Sequence, residues 1–151
     1  MANTQAMCTS FKGELLTGTH NFGTGVTRAS TAADTFKAAL YLASATVNAS
    51  TTAYSATGEV SGTNYSAGGV TVTNATAPTT SGTTAYWTPS ASITFTNVTL
   101  TTAFDAVLIY NSTQSNKAVS VHTFGSQTVT AGTFTLTMPT NDSSTGLIRL
   151  A

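Results

Sequence analysis

Charged side chains are scarce in this sequence. They make up 7% of its 151 residues, against about 25% in ordinary globular domains. The five basic and five acidic residues balance to zero net charge and are scattered, with no run of either sign. A basic patch for nucleic acid or a basic cluster for anionic membranes is therefore lacking. We expect neither nucleic acid nor a membrane as partner, and the near-zero charge offers little resistance to self-association.

Cysteine and long apolar runs are also nearly absent. Cys8 is the only cysteine, so the chain cannot form a disulfide framework of its own. We interpret it as a small buried hydrophobe rather than a reactive thiol. The apolar runs are far too short to cross a bilayer. No apolar stretch follows a basic start at the N-terminus, as in a secretory signal, so we expect synthesis in a cytoplasm.

Residues that could bind metal or carry catalysis are few and dispersed. Zinc needs about four His, Cys or carboxylate ligands, and this chain has two His and one Cys, in no recognised spacing. Its five acids do not cluster for calcium or for glycoside hydrolysis. No phosphate loop and no Gly-x-Ser-x-Gly elbow occurs. We therefore predict no metal, no cofactor and no enzymatic activity, although a Ser-His-Asp triad cannot be dismissed by counting residues.

Threonine and short β-prone runs dominate what is present. Residues 104–125 contain an apolar run, a polar turn rich in Asn, Ser and Thr, and a second β-prone run, which together predict a hairpin. The run at 104–110 is apolar on both faces, as in a central strand that is covered on both sides. In the second run apolar and polar residues alternate, which predicts that His122 points outward or into an interface.

Further runs alternate between apolar and polar residues and are bounded by Gly, Asn and Pro. They predict strands at 36–42, 70–73, 92–100, 133–138 and 147–150. The two stretches between them that lack this pattern, 48–69 and 75–84, are predicted to be loops. A loop as long as 48–69 in a compact domain is usually functional or a contact arm.

The N-terminal residues follow a different period. Over residues 3–16 apolar side chains recur at helical spacing, which predicts one short helix. The sequence thus predicts a single all-β domain over 1–151. It would consist of an N-terminal helix or arm at 1–18 and an antiparallel, jelly-roll-like β-sandwich at 34–151.

Two acids stand in β-prone surroundings of low charge. We interpret Glu59 and Asp105 as members of buried or interfacial ion pairs, with Arg28 or Arg149 as partners, or as acceptors of turn hydrogen bonds. Either use is structural, because a lone carboxylate without a second acid or a base nearby offers little chemistry.

Short motifs occur in a fixed order along nearly the whole chain. In the N-terminal half they are Phe11-Lys12, Leu15-Leu16, Gly18, His20, Phe22, Phe36 to Tyr41, Gly58-Glu59-Val60-Ser61-Gly62 and Tyr65-Ser66-Ala67-Gly68-Gly69. In the C-terminal half they are Leu108-Ile109-Tyr110-Asn111, Phe124-Gly125, Gly132-Thr133-Phe134-Thr135, Pro139 and Leu147-Ile148-Arg149. In this ordered set the chain resembles a family of small virion proteins of tailed bacteriophages.

The resemblance implies a structural role on the outside of a capsid. Such proteins look like capsid cement, or decoration, proteins with jelly-roll-like folds that bind the shell built from the major capsid protein. The implied partners are the major capsid protein and further copies of this chain, as a homodimer or homotrimer. The implied location is the capsid surface of the virion, after synthesis in the host cytoplasm.

The composition agrees with such a role. Neutral, Thr-rich faces can be buried against neighbours, and weak contacts in many copies add by multivalency. A protein that binds the assembled shell and not its separated subunits stabilises the assembly. We predict the N-terminal helix and the loops at 48–69 and 75–84 as contact elements. The side chains that we predict at the interface are Phe11, Phe22, Tyr54, Glu59, Tyr65 and Trp87.

Three other functions stay open at this point. A different virion component, such as a head-fibre base, a connector or a tail protein, would form a ring or a fibre. A carbohydrate-binding adhesion module would expose aromatic rings on one rim, for which Tyr86 and Trp87 are candidates. A hydrolase would need His20 or His122 to meet an acid and a nucleophile in a cleft.

Overall fold

A computed structural model describes residues 3–8, 10–11, 15, 19–20, 22 and 33–150 of the chain. Within these residues the predicted all-β architecture is confirmed, as two antiparallel sheets. The strands are β1 (Ala6–Met7), β2 (Phe36–Leu42), β3 (Val70–Thr71), β4 (Thr79–Ser81), β5 (Thr84–Trp87), β6 (Ile93–Asn111), β7 (Lys117–Leu136) and β8 (Ile148–Leu150).

The larger sheet has the order β1-β7-β6-β2-β3, which places β6 at its centre. The β6 residues from Ala106 to Asn111 are all buried, so the prediction of a central strand covered on both sides is confirmed. Strand β2 has the predicted bounds and pairs with β6 from Phe36 opposite Asn111 to Leu42 opposite Phe104. The smaller sheet has the order β4-β5-β8.

Strands β6 and β7 form one long hairpin of 19 and 20 residues. The sequence predicted two strands in place of each, with breaks near residue 101 and after Gly125. Bulges explain the difference, because the register of β6 on β7 shifts repeatedly between Phe95 and Ala106. Asn97 and Ala131 adopt positive φ angles of 53° and 47°. Each bulge inserts unpaired residues and resets the alternation of side chains without ending the strand.

The long hairpin folds back on itself. The rings of Phe124 and Phe134, both on β7, lie with centroids 5.2 Å apart, whereas a straight strand would separate them by roughly 33 Å. Phe134 also meets Phe104 at 5.0 Å. The half of the hairpin at 93–104 and 126–136, which we call the distal half, therefore packs against the half nearer the turn.

A buried polar cluster fixes the turn of this hairpin. The side-chain oxygen of Asn111 accepts hydrogen bonds from the backbone N–H groups of Thr113 and Gln114, each 3.1 Å long. Its amide nitrogen donates to Asp34 Oδ2 at 2.8 Å. Gln114 Nε2 donates to the other oxygen of Asp34 at 3.2 Å. The Asn-rich turn seen in the sequence is thus tied to the segment that precedes β2.

Two predictions of local structure are wrong. Ala6–Met7 forms a strand paired with Val121 and Ser120 of β7, where a helix was predicted. Here the pairing of backbone groups outweighs the helical spacing of the side chains. Ser10, Phe11 and Leu15 have helical backbone geometry, and the rest of the predicted helix lies outside the described residues. Within the predicted loop at 75–84, Thr79–Ser81 forms β4 and pairs with β5.

Candidate functional site

The predicted contact arm at 48–69 is fastened along two strands. Val60 N donates to Leu40 O at 3.0 Å, which continues the pairing on the β3 side of β2. Thr63 and Thr99 exchange backbone hydrogen bonds of 3.2 and 3.1 Å, which attach the loop to the distal half of β6. The loop is therefore an ordered part of the surface, with its backbone groups satisfied by the sheet.

Two glycines of the loop allow this close approach. A Cβ atom on Gly69 would stand 1.8 Å from the carbonyl oxygen of Ala38, and its φ of 69° lies in the left-handed region. A Cβ atom on Gly62 would stand 2.0 Å from the carbonyl oxygen of Thr99. Only a residue without a side chain fits against β2 and β6 at these points, which explains the glycines in the two sequence motifs of this region.

Glu59 is the centre of a hydrogen-bond network within the loop. Its Oε2 accepts a hydrogen bond from the Tyr54 hydroxyl at 2.6 Å. Its Oε1 accepts from the Tyr65 hydroxyl and from the backbone N–H of Gly68, both at 2.8 Å. The Tyr65 oxygen accepts in turn from Leu40 N at 3.0 Å. Of the two structural roles predicted for Glu59, the structure shows the hydrogen-bond acceptor.

The tyrosines of this network stay protonated at ordinary pH. Burial, reinforced by the negative charge of Glu59, raises the pKa of Tyr54 and of Tyr65. Burial also raises the pKa of Tyr41 to about 12, and its hydroxyl donates to Ser55 O at 2.5 Å. The hydroxyl groups therefore remain available as donors, and the loop keeps its fastening over the ordinary pH range.

The predicted anchors Tyr54 and Tyr65 are half-buried. The ring of Tyr54 stacks on that of Tyr110 with centroids 4.8 Å apart, and the ring of Tyr65 stacks on Phe95 at 5.8 Å. Their hydroxyl groups are used inside the chain, so a partner would contact only ring edges. Their role as anchors stays a prediction.

The other predicted anchors lie in the interior. Phe11, Phe22 and Trp87 expose 0%, 7% and 2% of their surfaces. The ring of Phe22 lies between Trp87, at 4.9 Å, and Phe36, at 4.7 Å, and Trp87 Nε1 donates to Thr76 O at 2.9 Å. These side chains support a surface from within, and Trp87 offers no open ring to a sugar. Their contribution to an interface stays a prediction.

His122 is half-buried and lines a cavity of about 240 Å³, so it does not stand free on the outer face, and its predicted place at an interface stays a prediction. The folding back of the hairpin brings Leu136 and Met138 over the histidine, and burial lowers its pKa to about 4. The Ser120 hydroxyl lies 2.9 Å from His122 Nε2. A serine and a histidine thus meet, but the described residues that line the cavity include no carboxylate to complete a triad.

Asp105 and Arg149, two further residues of the predicted ion pairs, take part in hydrogen bonds. Asp105 accepts a hydrogen bond of 2.6 Å from Asn3 Nδ2. The guanidinium of Arg149 donates to Ser144 O at 2.6 Å, and Arg28 lies outside the described residues. Within the described ranges, no three His, Cys, Asp or Glu side chains cluster to hold a metal ion. No helix in the described part of the chain is long and apolar enough to span a membrane.

The distal half of the hairpin exposes a broad surface without charge. No Asp, Glu, Lys or Arg occurs between Glu59 and Asp105, or between Lys117 and Asp142. We call the exposed side chains of this region the threonine surface: Thr94, Thr96, Thr101, Thr102, Ser126, Gln127, Thr128, Thr130, Thr133 and Thr135. The composition predicted neutral, Thr-rich contact faces but not their place on the hairpin, because the strands were assigned separately. The two charge-free spans were a signal that could have located them.

Comparisons with protein-family models, with curated proteins and with solved structures find no match to this chain. The function of the chain must therefore be sought in its own contacts and surfaces. The threonine surface and the fastened loop are the features that could meet a partner, and the loop is attached to the distal half of β6 where Thr63 pairs with Thr99.

Proposed function

We propose that this chain is a capsid decoration protein of a tailed bacteriophage. It binds the outer surface of the shell between capsomers and stabilises the assembled state. The threonine surface is the observation that carries this proposal. The ordered motifs that resemble small virion proteins indicate that the assembly is a phage capsid. The proposed partners are the major capsid protein and further copies of this chain.

An uncharged hydroxyl surface is suited to burial in a repeated contact. Burying a charge costs several kcal/mol unless it is paired, whereas a hydroxyl needs a single hydrogen bond to offset its desolvation. The methyl group of each threonine adds apolar area. A contact of about 800 Å² per partner would be specific, and many weak copies on one shell reinforce one another.

The fastened loop adds a rigid border to this surface. The Glu59 network and the bonds between Thr63 and Thr99 hold the loop before any partner arrives. Less conformational entropy is then lost on binding, which improves affinity without new contacts.

The proposal also includes the arrangement of the fold. It is a jelly-roll-like sandwich in which the folded-back hairpin forms part of the second layer, and it begins with a short N-terminal helix.

Co-sedimentation with capsids that lack this chain tests the proposal. The purified chain should bind saturably and raise the temperature at which the capsids disrupt, because it binds the assembled state alone. A double variant, Thr96→Lys with Thr102→Lys, should weaken binding at least about tenfold, which corresponds to about 1.4 kcal/mol. Thr140→Lys, at an exposed position outside the hairpin and outside the predicted contact elements, is the matched control.

Two results would contradict the proposal. In the first, the chain fails to bind capsids, or binds them without raising the disruption temperature. In the second, the double variant and the Thr140→Lys control bind equally well, which would move the contact away from the threonine surface. Binding to isolated tails or fibres instead of capsids would favour a different virion component.

A further inference from the structure

We propose that the outer edge of β7 from residue 126 to residue 136 pairs with the same edge of a second copy of this chain. The two edges would run antiparallel across a two-fold axis and join the distal halves of two hairpins into one sheet. The inference concerns the free protein and holds whether or not the chain binds a capsid. It therefore does not depend on the proposed function.

This edge is open within the described residues. On the other half of β7 the short strand β1 covers the edge, with Ala6 opposite Val121 and Met7 opposite Ser120. The last contact in that direction joins Thr123 N to Gln5 Oε1 at 3.5 Å. From residue 126 to residue 136, β6 pairs with one side of β7, and the described chain supplies no backbone partner to the other.

The exposure of the β7 side chains rises where the pairing with β1 ends. Val119, Ser120 and Val121 expose at most 2% of their surfaces. In the open segment most side chains are exposed, and the others are half-buried. Alternate N–H and C=O groups along such an edge point away from the neighbouring strand, ready to pair with another chain.

The usual protections of an exposed edge are weak here. Native proteins blunt edges with Lys, with Pro, with β-bulges or by keeping them very short. Between Lys117 and Pro139 the sequence has no charged residue and no proline. The bulge at Ala131, with its φ of 47°, interrupts the edge, so pairing would use the segments 126–130 and 133–136 on either side of it.

Three other open edges of the two sheets are protected by their length. Strand β3 has two residues, and β4 and β8 have three each. The outer edge of β6 in the distal half is partly covered by the loop, because Thr63 pairs with Thr99 and Asn64 Nδ2 donates to Asn97 O at 2.8 Å. The β7 edge offers two segments on either side of its bulge, of about 17 and 14 Å at about 3.4 Å per residue, and no described backbone group pairs with their outer side.

A second copy is the partner that fits this edge. Antiparallel pairing of an edge with itself is self-complementary, because each copy supplies the donors and acceptors that the other needs. The absence of charge removes like-charge repulsion across the axis, and opposed threonines are favourable cross-strand pairs. The contact is narrow compared with a standard interface of about 800 Å² per partner, so we expect a concentration-dependent equilibrium of monomer and dimer.

Sedimentation velocity over a concentration series of the whole chain tests this inference. Thr135 and Thr94 face each other across β7 and β6 and are both exposed, but Thr94 lies on the strand that forms the opposite edge of the hairpin. Thr135→Lys should weaken dimerisation at least about tenfold, or about 1.4 kcal/mol, because it places two like charges near the axis. Thr94→Lys should leave the dimer unchanged. Circular dichroism checks that both variants fold.

Hydrogen exchange gives an independent measurement on the unmodified chain. Amides at 126–136 should exchange more slowly at high than at low protein concentration, while amides of β3 and β4 should not change. The inference is overturned if the chain is monomeric at every concentration, or if both lysine variants weaken association equally. Concentration-dependent protection elsewhere, with none at 126–136, would also overturn it.

Discussion

Replacing Glu59 by alanine removes the acceptor of three hydrogen bonds at once. The donors are the hydroxyls of Tyr54 and Tyr65 and the backbone N–H of Gly68. Two of them, on Tyr65 and Gly68, lie in the protected part of the network, where water cannot easily take the place of the carboxylate. The substitution therefore tests whether a single side chain holds the loop at 48–69 on the sheet.

The expected loss of stability follows from those donors. A buried donor left without an acceptor costs about 1–3 kcal/mol, and the half-buried Tyr54 can turn its hydroxyl toward water. Two stranded donors therefore predict that Glu59→Ala lowers the free energy of unfolding by about 3–5 kcal/mol. In Glu59→Gln, the amide oxygen can still accept from Tyr65 and Gly68, while Tyr54 accepts from the amide nitrogen. We expect that variant to lose about 1 kcal/mol.

Urea unfolding followed by the fluorescence of Trp87, the only tryptophan, measures both variants. For a chain of this size 1 kcal/mol shifts Tm by about 2–4 °C, so Glu59→Ala should lower Tm by about 10 °C. Tyr54→Phe serves as a control that removes the outermost donor and should cost less than Tyr65→Phe. If the alanine and glutamine variants lose equal and small amounts of stability, the network does not hold the loop and our reasoning is wrong.

Three further predictions follow from single contacts. The pKa of His122 is lowered from 6.5 to about 4 by burial, so the unfolded chain takes up this proton first. This histidine should therefore lower the free energy of unfolding by up to about 3 kcal/mol as the pH falls from about 6.5 to about 4. In His122→Gln the free energy of unfolding should depend less on pH in that window, and an unchanged slope would contradict the buried placement. In Gly69→Ala the new Cβ atom would collide with Ala38 O, and the variant should lose at least about 2 kcal/mol of stability. In Gly82→Ala the new Cβ atom meets nothing within 4 Å, and only its φ of 57° should cost about 1–2 kcal/mol. Equal losses by urea unfolding would refute the steric argument. Asn111→Ala removes one donor to Asp34 and the acceptor of two N–H groups in the hairpin turn. It should cost about 2–4 kcal/mol, and a loss below about 1 kcal/mol would show that the cluster is not needed.

Strands with an uninterrupted pattern could be predicted from the sequence. Phe36–Leu42 has the predicted bounds, although both of its faces are largely buried, and the run at 104–110 is central and covered as predicted. The long hairpin was missed because its bulges reset the alternation and because Gly125 and Gly132 are also typical of turns. Bulges are recognised by the register of a partner strand, which a single sequence does not contain.

The site was harder to predict than the strands for the same reason. Glu59 was singled out by its motif, but its partners depend on a loop conformation set by close contacts with β2 and β6. The alternation around His122 gives the face of the strand on which the histidine lies. It does not show that the folded-back hairpin covers that face. Burial by a distant segment is a tertiary effect that local spacing cannot reveal.

The carboxylates of the described residues accept hydrogen bonds within the fold, and this separates stability from association. Among the described residues, Asp34, Glu59 and Asp105 accept hydrogen bonds that tie loops and the N-terminal segment to the sheets. Asp142 accepts from Thr145 and Ser144, and these bonds lower its pKa. None of these carboxylates lies on the threonine surface. Adding a lysine to that surface should therefore change association and leave stability nearly intact, whereas removing an internal carboxylate should destabilise the fold, as measured by urea unfolding and sedimentation of the same variants.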